Sequence, residues 1–181
     1  LINDVLDANN ILDQSISLNS QNNNILEMLK EIITVFEAYI NTKNIKFIYD
    51  YKTVNDREIL CDRIKFYKII VNILSNAVKY TNAKGTIEFT VNELSNDKDV
   101  INYEFIVKDN GKGMSTDTLN NICQAYYVED KTNSDSHGLG MSIVKNLIEL
   151  MNGQLNIISS KNKGTEYNVR LSFKQYKLDS K

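Results

Sequence analysis

Apolar and polar residues follow two periods along this chain, and the switches between them mark out its elements. Ile25, Leu29, Ile32, Phe36 and Ile40 recur at helical spacing. Asn24 precedes them as an N-cap, with Glu27 three residues on. A longer helix is predicted over Arg63–Tyr80, with Ile64, Tyr67, Val71, Leu74 and Val78 as its main stripe. Gly138 opens a third helix, which carries Met141, Val144, Ile148 and Met151 and stops at Gly153 as a C′ cap. Residues 115–122 predict a short helix. Ile2, Val5, Leu6 and Leu12 share one face of what reads as the end of another over residues 1–13, and the polar stretch Asn19 to Asn24 reads as a linker.

Elsewhere the period is two. Strands are predicted over residues 45–51 and near Ile59. Ile87, Phe89 and Val91 alternate with polar residues, as do Ile101, Tyr103, Phe105 and Val107, and a polar turn over residues 95–99 makes them an antiparallel hairpin. A final hairpin pairs residues 154–160 with 165–173 across Lys161-Asn-Lys-Gly164. Such alternation leaves one sheet face wet and one buried, so the amphipathic helices must cover the buried face. The expected class is α+β: a two-layer α/β sandwich with a mostly antiparallel sheet covered on one face by helices.

Composition narrows the function. With 181 residues, 42% of them apolar and 24% charged, the chain suits one domain with a short appendage. A net charge of −2 and the lack of a basic stripe argue against nucleic acid as a partner. No stretch approaches the 18 or so uncharged apolar residues of a membrane span. The N-terminus lacks a signal-peptide pattern and reads as a cut through a longer protein. Cys61 and Cys123 make no disulfide framework and read as small apolar fillers in a reducing compartment. Proline is absent, so Asn, Asp and Ser must shape the loops.

Four constellations carry candidate chemistry, each with a plainer reading beside it. Asn72, Asn76 and Lys79 share a face of the Arg63–Tyr80 helix. Asn is a poor helix former, so a merely solvated face would favour Glu or Lys, and an amide oxygen there suits a hard cation such as Mg²⁺. Asp109-Asn-Gly111-Lys-Gly113-Met114 follows a strand; it is either a turn or a place where a carboxylate meets an amine and the backbone lets a ligand close. Gly138-Leu139-Gly140-Met141 opens a helix, as a hinge or as a phosphate site. Gly164-Thr165 alone is a hairpin turn.

The order and spacing of the four together resemble the catalytic ATP-binding domain of sensor histidine kinases, within the gyrase, chaperone, histidine kinase and MutL superfamily. Residues 72–81 resemble that family's N box, with Asp62 ten residues before it. DNGKGM resembles the first glycine box, HGLGMSIVKNLIELMNG the second with its helix, and Gly164-Thr165 the last. The resemblance implies a Bergerat-type ATP-binding fold over residues 20–175. Residues 1–19 would end the second dimerisation helix and its linker, and 176–181 would be a polar tail.

By that resemblance Asp109 selects the adenine amino group, Gly111 and Gly113 shape the pocket wall, Met114 packs on the base and Thr165 lies nearby. Asn76 holds Mg²⁺, Lys79 neutralises phosphate charge, Tyr80 flanks the nucleotide, and Gly138, Leu139, Gly140 and Met141 meet the phosphates. Residues 127–137 form a mobile lid, in which His137 is a loop residue. Asn72 stands where hydrolysing relatives carry Glu; an amide cannot deprotonate water, so transfer to a separate nucleophile is favoured. The implied cofactors are ATP and Mg²⁺. The implied partners are a histidine-bearing dimerisation domain, absent from this chain, and a response regulator receiver domain. The domain would be cytoplasmic, its parent membrane-anchored or not. Ser136, Cys123 and Ala125 depart from the family pattern. They motivate the alternative of a catalytically silent nucleotide- or protein-binding module.

Overall fold

The computed structural model describes residues 17–97, 99–125, 127 and 138–177. The helix expected over residues 1–13, lid residues 128–137 and the end of the polar tail lie outside these. The strands are β1 (Gln21–Asn24), β2 (Lys46–Asp50), β3 (Glu58–Cys61), β4 (Thr86–Asp97), β5 (Val100–Asp109), β6 (Gln154–Ser159) and β7 (Thr165–Gln175). The helices are α1 (Ile25–Thr42), α2 (Arg63–Tyr80), α3 (Thr116–Asn121) and α4 (Gly140–Leu150). One sheet runs in the order β1-β3-β7-β5-β4-β2, and β6 shares an edge of β7 with β3. Every pairing is antiparallel except β2 with β4. The helices cover one face, which is the two-layer mixed α+β arrangement that the alternation predicts.

The core fills the space between sheet and helices. Phe66 of α2 meets Phe105 and Phe173 edge-on at 5.2 and 6.1 Å, which ties the helix to the two central strands. α2 buries Phe66, Ile69, Ile70, Ile73, Leu74, Ala77 and Val78. The expected stripe was therefore partly misplaced: Ile64 is 80% and Val71 39% exposed. The reason is that α2 packs on the sheet and on α4 at once. Two contacts need a broader face than one heptad seam, turned toward Ile69 and Ile73.

Three further expectations shift. Residues 21–24, read as linker, form β1: their backbone pairs with β3, while Asn23 Nδ2 donates to the Cys61 carbonyl and Asn24 Nδ2 to Asp56. Backbone pairing with a neighbouring edge overrides the low strand propensity of Asn. The last helix begins at Gly140, because Gly138 takes a positive φ of 66°. Its C′ residue is Asn152 (φ 53°), not Gly153. The Asn152 N–H bonds Glu149 O at 3.0 Å and the Gly153 N–H bonds Ile148 O at 2.8 Å, the paired closure of a Schellman motif. Gly153 is required for space, since a Cβ there would lie 2.6 Å from Arg170 O.

Asp62 fastens the incoming chain to α2. It is 4% exposed and caps the helix by accepting the Lys65 N–H at Oδ1 (3.0 Å). Its Oδ2 accepts the Asn19 N–H (3.0 Å) and the Lys65 ammonium (2.6 Å). Burial alone would raise its pKa, but these hydrogen bonds and the Lys65 charge outweigh burial and hold the carboxyl below its ordinary value. Asp62→Ala should therefore destabilise the fold by about 1–3 kcal/mol, read from urea midpoints. A depressed pKa stabilises the folded state above the ordinary Asp range, and that stabilisation is lost as pH falls through the folded value. The stability gap between wild type and variant should accordingly close in acid.

Candidate functional site

α2, α4, the loop over residues 109–114 and the start of β7 enclose a cleft of about 290 Å³. Asn72, Asn76, Lys79 and Tyr80 line it from α2, and Gly138, Leu139, Gly140 and Met141 from the opposite side. Asp109, Gly113, Met114 and Thr165 complete the set anticipated from sequence. Gly111 does not line the cleft. It stands behind Asp109, where its N–H donates to Oδ1 at 2.8 Å, and a Cβ would lie 2.2 Å from the Tyr80 carbonyl.

The loop is held from three sides. The Lys112 N–H bonds Tyr80 O at the end of α2 (3.1 Å), and Asn110 Oδ1 accepts the Thr86 N–H at the start of β4 (2.8 Å). The Asn162 N–H, in the β6–β7 turn, bonds Lys112 O (2.6 Å). Gly113 (φ 63°) and Gly164 (φ 83°) make this last contact possible: a Cβ on either would sit 1.9 Å from a backbone oxygen, of Ser160 and Asp109 respectively. Ser159 Oγ completes the joint. It donates to Gly164 O and accepts the Met114 N–H, each at 2.9 Å. With its own proton committed, it accepts from the Thr165 hydroxyl at 2.9 Å.

Asp109 is thereby fixed at the inner end of the cleft, 5% exposed. Burial raises its pKa, against the opposing N–H groups of Gly111 and Thr165. The Tyr80 ring lies between the loop and α2, with Lys79 Nζ 5.4 Å and Lys112 Nζ 4.7 Å from its centroid.

On the other wall the Asn72 amide is oriented by its own helix. Nδ2 donates to Lys68 O at 2.7 Å, and Oδ1 faces α4, 3.1 Å from where a Gly140 Cβ would stand. The Asn76 amide lines the cleft, half-buried, and makes no hydrogen bond among the described residues. The α4 N-terminus has no side-chain cap at Leu139, and among the described residues no side chain accepts from its first N–H groups. Among the described residues no group of His, Cys, Asp and Glu could enclose a metal ion. A cation here would rely on amide oxygen and on donors that its ligand brings, a donor set that suits Mg²⁺ on a polyphosphate.

Sequence reasoning missed several lining residues: Ser75, Lys112, Thr118, Ile143 and Tyr167. Ser75 lies between the two Asn on the exposed side of α2, where spacing could have found it. Tyr167 belongs to an alternating strand and looked like core. Tyr127, the first of the expected lid residues, and Ile122, at the end of the predicted short helix, also line the wall.

Residues 61–175 match the family described as histidine kinase-, DNA gyrase B-, and HSP90-like ATPase. The autoinducer 2 sensor kinase/phosphatase LuxQ of Vibrio parahaemolyticus is 25% identical over 179 residues, covering 96% of this chain and 21% of that protein. The aerobic respiration control sensor protein ArcB homolog of Haemophilus influenzae is 31% identical over 153 residues, covering 83% of this chain and 45% of that protein. The chain thus spans less than half the length of either relative. The crystal structure of full-length ShkA in complex with AMPPNP superposes with a TM-score of 0.78 at 25% identity, covering 98% of this chain and 36% of that one. Among the described residues no helix is long and apolar enough to cross a membrane.

Gly164→Ala should test the joint. The new methyl meets a backbone carbonyl in a left-handed conformation, so stability should fall by about 3 kcal/mol or more in thermal or urea unfolding. The same change at Gly140 faces, among the described residues, only the Asn72 side chain and should cost far less.

Proposed function

Because the chain belongs to the histidine kinase-, DNA gyrase B-, and HSP90-like ATPase family, as a histidine kinase-type ATPase domain of sensor kinases, we propose that its cleft binds Mg-ATP and presents the γ-phosphoryl group to a histidine on a dimerisation domain. One observation carries the reading: a buried carboxylate, Asp109, and an amide without a hydrogen bond among the described residues, Asn76, line the same cleft beside the N-terminus of α4, which has no side-chain cap at Leu139. An ionised carboxylate only accepts hydrogen bonds, so at the inner end of the cleft it selects an amine, such as that of adenine. An uncapped helix N-terminus favours phosphate through its free N–H groups and dipole.

Phosphoryl transfer asks mainly for positioning and charge neutralisation. Met114 would pack on the base, with Tyr80 at its flank. Lys79 and the N–H groups near Gly138 and Gly140 would offset phosphate charge. Asn76 would hold Mg²⁺, which supplies charge neutralisation between the phosphates when bound. Asn72 can orient groups but cannot take a proton from water, which disfavours hydrolysis and leaves the phosphoryl group for an external nucleophile. The acceptor histidine would lie on the first helix of that dimerisation domain, and a receiver domain would take the phosphoryl group afterwards.

Asp109→Asn should lower ATP affinity roughly tenfold to a hundredfold by calorimetry, because an amide can turn a donor toward the adenine amine. Unchanged affinity would remove Asp109 from recognition. Because the Asp109 pKa is raised, wild-type affinity should decline on acidification from a pH above the ordinary Asp value of about 3.9, and D109N should lack this decline.

Asn76→Ala should bind metal-free ATP normally and gain nothing from added Mg²⁺. With radiolabelled ATP, this chain should acquire label only on a cognate acceptor-helix domain supplied in trans. Label on the chain itself, without acceptor, would contradict the assignment of the missing histidine.

A further inference from the structure

The cleft contains a polar group that neither the glycine loops nor the α2 amides account for. Tyr167 lies on β7 two residues beyond Thr165, opposite Val107, while Thr165 lies opposite Asp109. The following inward positions of β7 are the hydrocarbons Val169 and Leu171 and the aromatic Phe173, all buried. A tyrosine at the cleft end of that series places a hydroxyl where the neighbouring positions carry none. The residue is 4% exposed and lines the cleft. Its hydroxyl makes no hydrogen bond among the described residues. Tyr167 thus brings to the cleft wall a hydroxyl with no partner among the described residues.

We propose that the Tyr167 hydroxyl is a specificity-determining group that donates a hydrogen bond to a purine ring nitrogen beside the amine accepted by Asp109. The proposal rests on the nucleotide reading above and deepens it. A ligand that fills the cleft covers this hydroxyl and must offer it a partner, or else leave a buried donor unmade. The 6-amino group of adenine is flanked by N1 and N7, and both are acceptors. A carboxylate that only accepts, beside a phenol that donates, matches that donor–acceptor pattern. The phenol stays protonated, because burial and then the charge of nearby Asp109 push its pKa up. Guanine fails the first half of the pattern, since its O6 would face the carboxylate.

The test uses the 181-residue chain, with ADP, 1-deaza-ADP and 7-deaza-ADP as probes in calorimetry. Tyr167→Phe removes only the oxygen and keeps the ring that packs in the core. The variant should bind ADP about threefold to tenfold more weakly than wild type. One of the two deaza analogues should bind wild type more weakly by a similar factor and lose nothing further in the variant.

Equal ADP affinity for wild type and Y167F would overturn the proposal. So would a variant that loses the same factor with both analogues, because the hydroxyl would then act on neither nitrogen. Wild-type protein alone also decides: if both analogues bind it as ADP does, no ring nitrogen is being read. Failure of wild type to bind ADP at all would instead overturn the nucleotide reading, and this inference with it.

Discussion

Two backbones touch at Gly113 and Gly164, and the cleft depends on that contact. A strand-end carboxylate can face a ligand reproducibly only if the chain after it is immobilised, and here the loop behind Asp109 has almost no side chains of its own to pack. Its rigidity comes from main chain against main chain, with the Asp109–Met114 loop pressed on the β6–β7 turn and Ser159 bonded to both. The glycines of residues 111–113 and 164 thus serve as much to let peptide groups meet as to admit a ligand. Asp109 can stay buried, with its pKa raised, because the structure around it leaves it nowhere else to go.

α2 joins this rigid end to the rest of the molecule. Its broad apolar face is buried on the sheet and on α4, so its remaining face carries Asn72, Asn76 and Lys79 into the cleft at fixed depth. The first turn of the same helix is capped by Asp62, which also holds the amide of Asn19. The segment entering the domain is therefore bonded to the N-terminus of the helix whose C-terminal half lines the site. β1 extends the connection by pairing with β3, so the entering chain is a strand of the domain and not a tether.

Much of this was legible because it depends on local rules. Alternation in Ile87–Val91 and Tyr167–Phe173 gives strands with one dry face, and the spacing of Asn72, Asn76 and Lys79 gives one helical face. Twelve of the thirteen residues singled out from sequence line one cleft, all but Gly111. What was not legible depends on who packs against whom. The α2 stripe was misplaced because periodicity cannot say that the helix has two neighbours, which leaves Ile64 and Val71 outside. β1 was missed because it forms by pairing with the β3 edge, against the low strand propensity of Asn. Tyr167 was not singled out because alternation reports which side a residue faces, and not that the buried layer borders a cleft at that point.

The composition of the cleft bears on how such a site would work. The groups in it that could meet an anion are helix N–H dipoles and lysine side chains, and among the described residues no carboxylate cluster stands ready for a metal. On the proposed reading Asn76 and the phosphates would hold the cation between them, so that it would arrive and leave with the nucleotide. Affinity then depends on how many phosphates the ligand carries, because each contributes both to the metal's ligand set and to the helix terminus. Loss of the γ-phosphoryl group to another domain weakens both at once, whereas recognition of the base at Asp109 is untouched. On that reading a domain built in this way would retain its selectivity for adenine throughout a transfer, and would change only how firmly it holds the polyphosphate end.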